Sequence, residues 1–493
     1  MRNILRSAEV DHWDDGLVEQ RSEPYRQPRI LFFAPKECWP PDTGAKLRNY
    51  YLARDLAQEA EVTYLSFDDS SCQAIIQRES DGSAGRNSHS ASRRVADTGF
   101  EVPAALFHRT VIVRRPARYK LSNIVRGAVG RIPLTVLNYT TREMTGALSR
   151  LLSQNDYDIV QMESIHLAGY LPLLRSARSK PKVICDWHNI ESELMWRYSQ
   201  RERRGARRLY AKATARRMRE LEASAIPQFD ANLAVSQRDA DTLAEMGFSE
   251  SIFVLKNGVD LGRMTDTVSE QLGRSTNGTV RNRLVYVGSM DYHANEDAAV
   301  HFTREMWPAL HQVCPQLRFT IVGRNPGPTV KALERIPGIE VTGTVADVRP
   351  YYREAVAAVV PLRVGGGSRL KILEAMAAGV PVISTALGAE GLAVEDGCNI
   401  LLAETGADFQ RAVRALSDKA KWATLSREGR HLVSDHYEWS SIGSKLRQIH
   451  AGLLARRKTE FSRGVWADAG SGGFGRLADL EVSTRLGRVG GIK

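Results

Sequence analysis

The stretch with the densest chemistry runs from Gly365 to Thr385, GGGSRLKILEAMAAGVPVIST. Three glycines let a backbone approach an anion without Cβ interference, and the helix that follows presents unpaired amides and a partial positive charge. Ser368 is placed to cap that helix through its hydroxyl. Arg369 and Lys371 add two formal charges at the same end. Gly365, Gly366, Gly367, Ser368, Arg369 and Lys371 together describe a phosphate or diphosphate site. Glu374, one turn further in, would repel phosphate and suits a hydrogen-bond donor such as a ribose hydroxyl. Leu370, Leu373 and Ala377 recur at helical steps, so Lys371 and Glu374 are expected away from the core face. A glycine-rich turn before an amphipathic helix with solvated charges is the plainer alternative.

Two further candidates lie earlier. Thr43-Gly44 follows an apolar run, PRILFFAP (28–35), and precedes a helical pattern through Tyr51, Leu52 and Leu56. His188, in Asp186-Trp187-His188-Asn189, ends the strand-like run PKVICDWHNIE (181–191) and can donate to a phosphate or sugar hydroxyl. A turn glycine and a structural histidine are the competing readings.

These residues need a scaffold that gathers strand ends. Short apolar runs alternate with helical patterns: VTYLSF (62–67), YDIVQME (157–163), DANLAVS (230–236) and IFVLKNGVD (252–260), then RLVYVGSM (283–290), LRFTIVG (317–323), IEVTGTV (339–345), AAVVPL (357–362), VPVIST (380–385) and NILLAE (399–404). Helices are expected through Ala298, Phe302 and Leu310 and around Tyr351–Ala357. The βα rhythm predicts doubly wound parallel sheets, and such sheets bind ligands at the C-terminal ends of their strands. At 493 residues the chain is long enough for two domains.

The expected division is a disordered segment at 1–27, an N-terminal Rossmann-like domain at 28–262 and a linker at 263–281. A C-terminal Rossmann-like domain at 282–435, a helix at 436–455 and a loose tail at 456–493 complete it. Residues 68–100, rich in Ser, Gly and charge, are expected to form a mobile surface loop.

Hydrophobic residues make up 43% and charged residues 25% of the chain, as in soluble globular proteins. The net charge of +11 and pI near 9.4 favour anionic partners without choosing among them. Trp196 to Glu222 is a strongly basic helical stretch: a solvated face, or a contact with a membrane or nucleic acid. The segment TVIVRRPARYKLSNIVRGAVGRIPLTV likewise suits a basic edge, an anionic membrane surface or an acceptor lipid. Nucleic acid is disfavoured because aromatics are not interleaved with the basic residues. Five scattered cysteines suggest neither a disulfide framework nor a zinc site. With a polar N-terminus and no apolar run near the ~20 residues of a bilayer span, a cytoplasmic protein, at most peripheral on the inner face of a membrane, is expected.

Taken in order, DTG (42–44), DWHN (186–189), LKNGVD (255–260), VYVGSM (285–290), IVG (321–323), VTGTV (341–345) and LEAMAAGVPVIS (373–384) resemble the family 4 glycosyltransferases of the GT-B fold over roughly residues 28 to 455. The resemblance implies a retaining, metal-independent enzyme that needs no cofactor beyond its nucleotide-sugar donor. The donor would bind mainly the C-terminal domain, and a glycan or lipid-linked acceptor the N-terminal one. It implies donor-binding roles for Gly44, Gly288, Val345 near the base, the glycine run and Glu374 at the ribose. His188, Arg369 and Lys371 would act at the reacting centre. Surface polysaccharide or glycolipid synthesis is the implied setting. The sequence departs from the family at Gly366, where the first glutamate of a Glu-x7-Glu pair would stand. It departs again in GSMDYHANED, which lacks the family's Arg and Lys. Arg369 and Lys371 are expected to substitute for those charges, and glycine amides for the carboxylate. A catalytically silent nucleotide-binding or membrane-docking scaffold, and a nucleotide-sugar epimerase, are the rival readings. A nicotinamide oxidoreductase is disfavoured, since no G-x-G-x-x-G follows a predicted strand.

Overall fold

The computed structural model describes residues 26–41, 43–68, 103–115, 132–202, 204–247, 249–264, 282–364 and 369–462, with isolated positions between 123 and 130. The segments 1–25, 69–102 and 265–281, and the residues after 462, lie outside the description. So do nearly all of the expected disordered N-terminus and of the expected mobile loop, most of the linker and most of the tail.

Two parallel sheets form, as the apolar runs predict. The first holds β1 (Arg29–Ala34), β2 (Glu61–Phe67), β3 (Arg109–Val113), β4 (Ile159–Met162), β5 (Lys182–Trp187), β6 (Ala231–Ala234) and β7 (Ile252–Val254), in spatial order β3-β2-β1-β4-β5-β6-β7. The second holds β8 (Arg283–Val287), β9 (Arg318–Val322), β10 (Ile339–Gly343), β11 (Ala355–Val360), β12 (Val382–Ser384) and β13 (Leu401–Leu402), in order β10-β9-β8-β11-β12-β13. Central strands such as β1 and β11 are buried along nearly their whole length, which is why they read as continuous apolar runs. Strand order reverses between β1 and β4 in one sheet and between β8 and β11 in the other. Loops at those points diverge and leave a crevice.

The helices that matter for the site are α1 (Gly44–Leu56), α2 (Glu191–Arg201), α3 (Gly205–Ala225), α4 (Gln237–Met246), α5 (His293–His301), α6 (Leu370–Ala377) and α7 (Trp439–Ser462). Three boundaries differ from expectation. The helix expected around Tyr351–Ala357 stops at Arg353, and β11 starts at Ala355, because Ala355, Ala357 and Ala358 are sheet residues packed in the core. Helix α6 begins at Leu370 with Arg369 in the N-cap position and no side-chain cap, so Ser368 does not occupy the capping place predicted for it. Helix α7 continues to Ser462, into the segment expected to be loose.

Helix α7 returns to the N-terminal domain. Trp439 stacks on Tyr51 of α1 at 5.1 Å, and Ile442, Leu446, Ile449 and Leu453 join the core on that side of the first sheet. A Cβ on Gly443 would fall 2.2 Å from the Asp55 carboxyl carbon, so glycine is needed for this close approach. Arg447 pairs with Asp55 and, at 2.9 Å, with Glu59.

Arg48 of α1 is the central anchor. Its Nε and Nη2 donate to the two Asp186 oxygens at 2.7 and 2.9 Å. The remaining N–H groups reach the Leu255 carbonyl (3.0 Å), the Lys256 carbonyl (2.9 Å) and Asn257 Oδ1 (3.0 Å). Both charges are buried. Replacing Arg48 by Met leaves the Asp186 carboxylate unpaired in the interior, at a cost of about 3–5 kcal/mol. The urea-unfolding midpoint should drop accordingly, with part of the loss recovered in R48M/D186L; an unchanged midpoint for R48M would contradict the assignment.

Candidate functional site

In the C-terminal domain the site forms at the reversal between β8 and β11. The loop after β8 carries Gly288, whose backbone lies so close to Gly323 that a Cβ there would sit 1.7 Å from the Gly288 carbonyl oxygen. Asn295, near the start of α5, fastens this loop: its Nδ2 donates to the Ser289 carbonyl at 2.9 Å, and its Oδ1 accepts from Tyr286 at 3.0 Å. Lys371 comes across from α6. Its Nζ donates to Asn295 Oδ1 at 2.6 Å and lies 4.9 Å from the Tyr286 ring centroid. The ammonium is therefore delivered to the loop that lacks its own Arg and Lys. This differs from a solvated position: Lys371 and Glu374 are both half-buried.

Burial pushes Lys371 down to about 7, with Arg369 adding to the effect and Glu374 opposing it. Burial likewise raises Glu374 to about 7, against Lys371 and Arg263. Each group titrates near pH 7, so an arriving ligand with the right charge settles its protonation. Val345 follows β10 and packs half-buried on the core of this domain. Gly365, Gly366, Gly367 and Ser368 lie outside the described residues.

Arg369 turns the other way. It is 5% exposed and pairs with Glu390 at 3.3 Å. Glu390 also receives Arg197 of α2 at 2.8 Å and Arg238 of α4 at 3.4 Å, so this carboxylate joins the two domains. A cleft with an empty volume of about 640 Å³ opens here, lined by Asn189, Arg197, Arg238, Asn257, Arg369 and Glu390 among others. Arg369 and Lys371 thus serve two sides of the same helix start instead of one point.

In the N-terminal domain Gly44 is the first residue of α1, behind Thr43, whose Oγ1 accepts from the Lys46 amide at 3.4 Å. His188 stands just past β5 with its Nε2 3.1 Å from Glu163 Oε2 and 4.0 Å from Asp186 Oδ2. Glu163, just past β4, is fully buried; burial and then Asp186 raise its carboxyl to about 7. Glu163, Asp186 and His188 place ligand atoms within 4.8 Å of one another. Arg48 already holds both Asp186 oxygens, so a cation would have to displace a guanidinium there.

Reading the residues in sequence missed Glu163, Glu390, Arg197 and Arg238. For Glu163 a signal existed: a carboxylate closing the apolar run YDIVQME has to meet a partner. For the other three, the pairing spans up to 193 positions and carries no local mark.

Two family models divide the chain as the two sheets do: "Glycosyltransferase Family 4" over residues 44–263 and "Glycosyl transferases group 1" over residues 281–419. Among solved structures, HepE of Anabaena in complex with UDP and glucose is 16% identical, with a TM-score of 0.55, covering 85% of this chain and 98% of that one. Sucrose-phosphate synthase of Thermosynechococcus elongatus is 17% identical, with a TM-score of 0.59 and coverage of 87% and 100%. A TarM variant of S. aureus, in complex with fondaparinux, α-GlcNAc-glycerol and UDP, is 11% identical, with a TM-score of 0.53 and coverage of 86% and 99%. No curated protein sequence matches the chain. The fold is GT-B. The chain belongs to the group 1, family 4 glycosyltransferases.

The raised carboxyl of Glu374 makes a testable statement about stability. Between pH 4.5 and about 7 the folded chain holds a proton on Glu374 that the unfolded chain has released. Stability contributed by this group is full below pH 4.5 and is lost as pH rises through about 7. Urea midpoints of wild type, measured relative to Glu374→Gln, should fall through that window; parallel curves would show that Glu374 titrates normally.

Proposed function

We infer that this transferase moves a sugar from a nucleotide-sugar donor, with retention at the anomeric carbon, to a glycan or lipid-linked acceptor in surface polysaccharide or glycolipid synthesis. The observation that carries the reading is Lys371 spanning the reversal of the second sheet to reach Asn295 and the loop after β8. A diphosphate bound between that loop and the start of α6 would meet the Lys371 ammonium and the N-terminus of the helix, with Gly365–Ser368 supplying backbone amides. The dianion would draw a proton onto Lys371, which sits near 7 when empty. Glu374, three residues on, would accept from the ribose hydroxyls, and Gly288 would let the phosphates approach the backbone. HepE and the TarM variant were each solved with UDP, which supports a uridine nucleotide as the first donor to try.

Departure of the nucleoside diphosphate places negative charge on its bridging oxygen and leaves an oxocarbenium-like sugar. Lys371 and the helix start would stabilise that charge, joined by Arg369 only if it leaves Glu390. This is the work a metal ion performs in other transferases, so a metal-independent reaction without a further cofactor is proposed. His188, across the cleft, would contact the donor sugar. The acceptor would enter from the N-terminal domain.

The acceptor's setting draws on the hairpin of α2 and α3. Trp196, Leu209 and Tyr210 are 51%, 70% and 48% exposed, beside the exposed Arg204, Arg207 and Arg208. Bulky apolar groups amid arginines suit insertion at an anionic membrane surface. No helix among the described residues is long and apolar enough to cross a membrane.

Turnover of a nucleotide-sugar panel tests the chemistry. One donor should be consumed by wild type, with product anomeric configuration retained by NMR. Lys371→Met should lower kcat by about 10²-fold or more, as loss of one preorganised donor to a developing oxyanion does, and Glu374→Ala should raise donor KM. Consumption of no donor would point to a silent scaffold, and full activity in both variants would remove Lys371 and Glu374 from the donor site. In flotation assays, wild type should rise with anionic vesicles and stay down with neutral ones, while R207E/R208E/L209S should stay down with both; binding indifferent to lipid charge would remove the membrane surface from the account.

A further inference from the structure

A buried polar chain runs through the N-terminal domain. His450 Nε2, on α7, lies 2.8 Å from Gln161 Oε1. Gln161 Nε2 donates to Glu163 Oε1 at 2.7 Å, and Glu163 Oε2 lies 3.1 Å from His188 Nε2. Gln161 and Glu163 have no exposed surface, and His450 has 4%. Burying an amide, a carboxylate and an imidazole costs free energy unless each is paired, and apolar residues would pack the same strand without that cost.

The order of donors along the chain is determined by chemistry. Above about pH 7 the Glu163 carboxylate is ionised and only accepts, so Gln161 turns its amide nitrogen to Glu163 and its oxygen to His450. In the orientation that satisfies its own surroundings, the Asn49 amide donates to Glu163 Oε2 at 2.9 Å and to the Ala45 carbonyl at 3.1 Å. With Gln161 and Asn49 both donating, Glu163 calls for a donor from His188 Nε2 as well. Asp186 does not compete at 4.0 Å, because Arg48 holds it. His188 Nδ1 has no hydrogen-bond partner among the described residues, and the side chain keeps 16% exposure at the C-terminal edge of the sheet.

We propose that Glu163 is a positioning residue: it keeps the hydrogen of His188 on Nε2 and so leaves Nδ1 as the acceptor for a hydroxyl of the sugar bound in the cleft. This rests on reading the cleft as a sugar-transfer site. Gln161 and His450 extend the support to α7, the helix that follows the C-terminal domain.

The test combines a spectrum and a cycle. In the full chain labelled with 15N-histidine, the His188 signals are those lost in His188→Asn. They should show the Nε2–H tautomer in wild type. In Glu163→Gln that preference should be lost, because an amide nitrogen then faces existing donors. The variant should lower kcat by about 10–100-fold, the scale of a misoriented reacting contact, with donor KM within about twofold. In the His188→Asn background, Glu163→Gln should add no further loss. An Nδ1–H tautomer in wild type, readable whether or not any variant folds, overturns the proposal. So do additive losses, or an H188N enzyme with undiminished turnover. A wild type that consumes no donor overturns the transferase reading instead, and the tautomer still decides whether Glu163 orients His188.

Discussion

Arg48 and the groups around it set the geometry of the N-terminal half of the cleft. A guanidinium has five N–H donors in one rigid plane, and here each meets an oxygen. Two belong to Asp186, two to the carbonyls of Leu255 and Lys256, and one to Asn257. One side chain thereby ties three segments: α1, the end of β5, and the Asn257-Gly258 turn that leaves the domain. His188 follows Asp186 by two residues, so its backbone inherits that fixed position. Tyr51, one turn along α1, adds a hydrogen bond to Asp260 at 2.9 Å. The NGVD stretch, noticed first as a family mark, is thus a fastening between α1 and the crossing to the second domain.

The C-terminal half uses the opposite strategy. Where Arg48 is saturated, Lys371 and Glu374 are half-buried, of opposite charge type and both shifted to titrate near pH 7. Such groups cost little to keep when uncharged and respond strongly to an incoming charge. Between the halves, Glu390 gathers Arg197, Arg238 and Arg369 from both domains. An anion reaching Arg369 would have to compete with that carboxylate, which also holds Arg197 and Arg238 of the other domain.

Much of this was legible in the chain. Parallel strands buried on both faces appear as unbroken apolar runs, so PRILFFAP, YDIVQME and LRFTIVG announced β1, β4 and β9 within a residue or two. The candidates Gly288, Lys371, Glu374 and His188 fall at strand ends or on α6 because a parallel sheet gathers its C-terminal ends on one edge. What stayed hidden depends on contacts distant in sequence. The stripe of Trp439, Ile442, Leu446 and Ile449 marks an apolar helix face, yet nothing local says that α1 of the other domain covers it. Arg369 reads as a free charge at a helix start until the fold brings Glu390 against it. The N-cap place of α6 falls on Arg369 and not on Ser368, since capping propensity is a weak force beside the packing of Leu370 and Leu373.

The central claim is that the second sheet's reversal point holds the donor's diphosphate, with Lys371 in place of the charges absent from GSMDYHANED. A crystal structure of the chain with a non-transferable nucleotide-sugar analogue tests it most directly. The account predicts the diphosphate between the loop after β8 and the start of α6, within hydrogen-bond reach of Lys371 Nζ, and a ribose hydroxyl on the Glu374 carboxylate. A nucleotide seated in the first domain, or one whose phosphates lie away from Lys371 while Asn295 keeps it, would contradict the account.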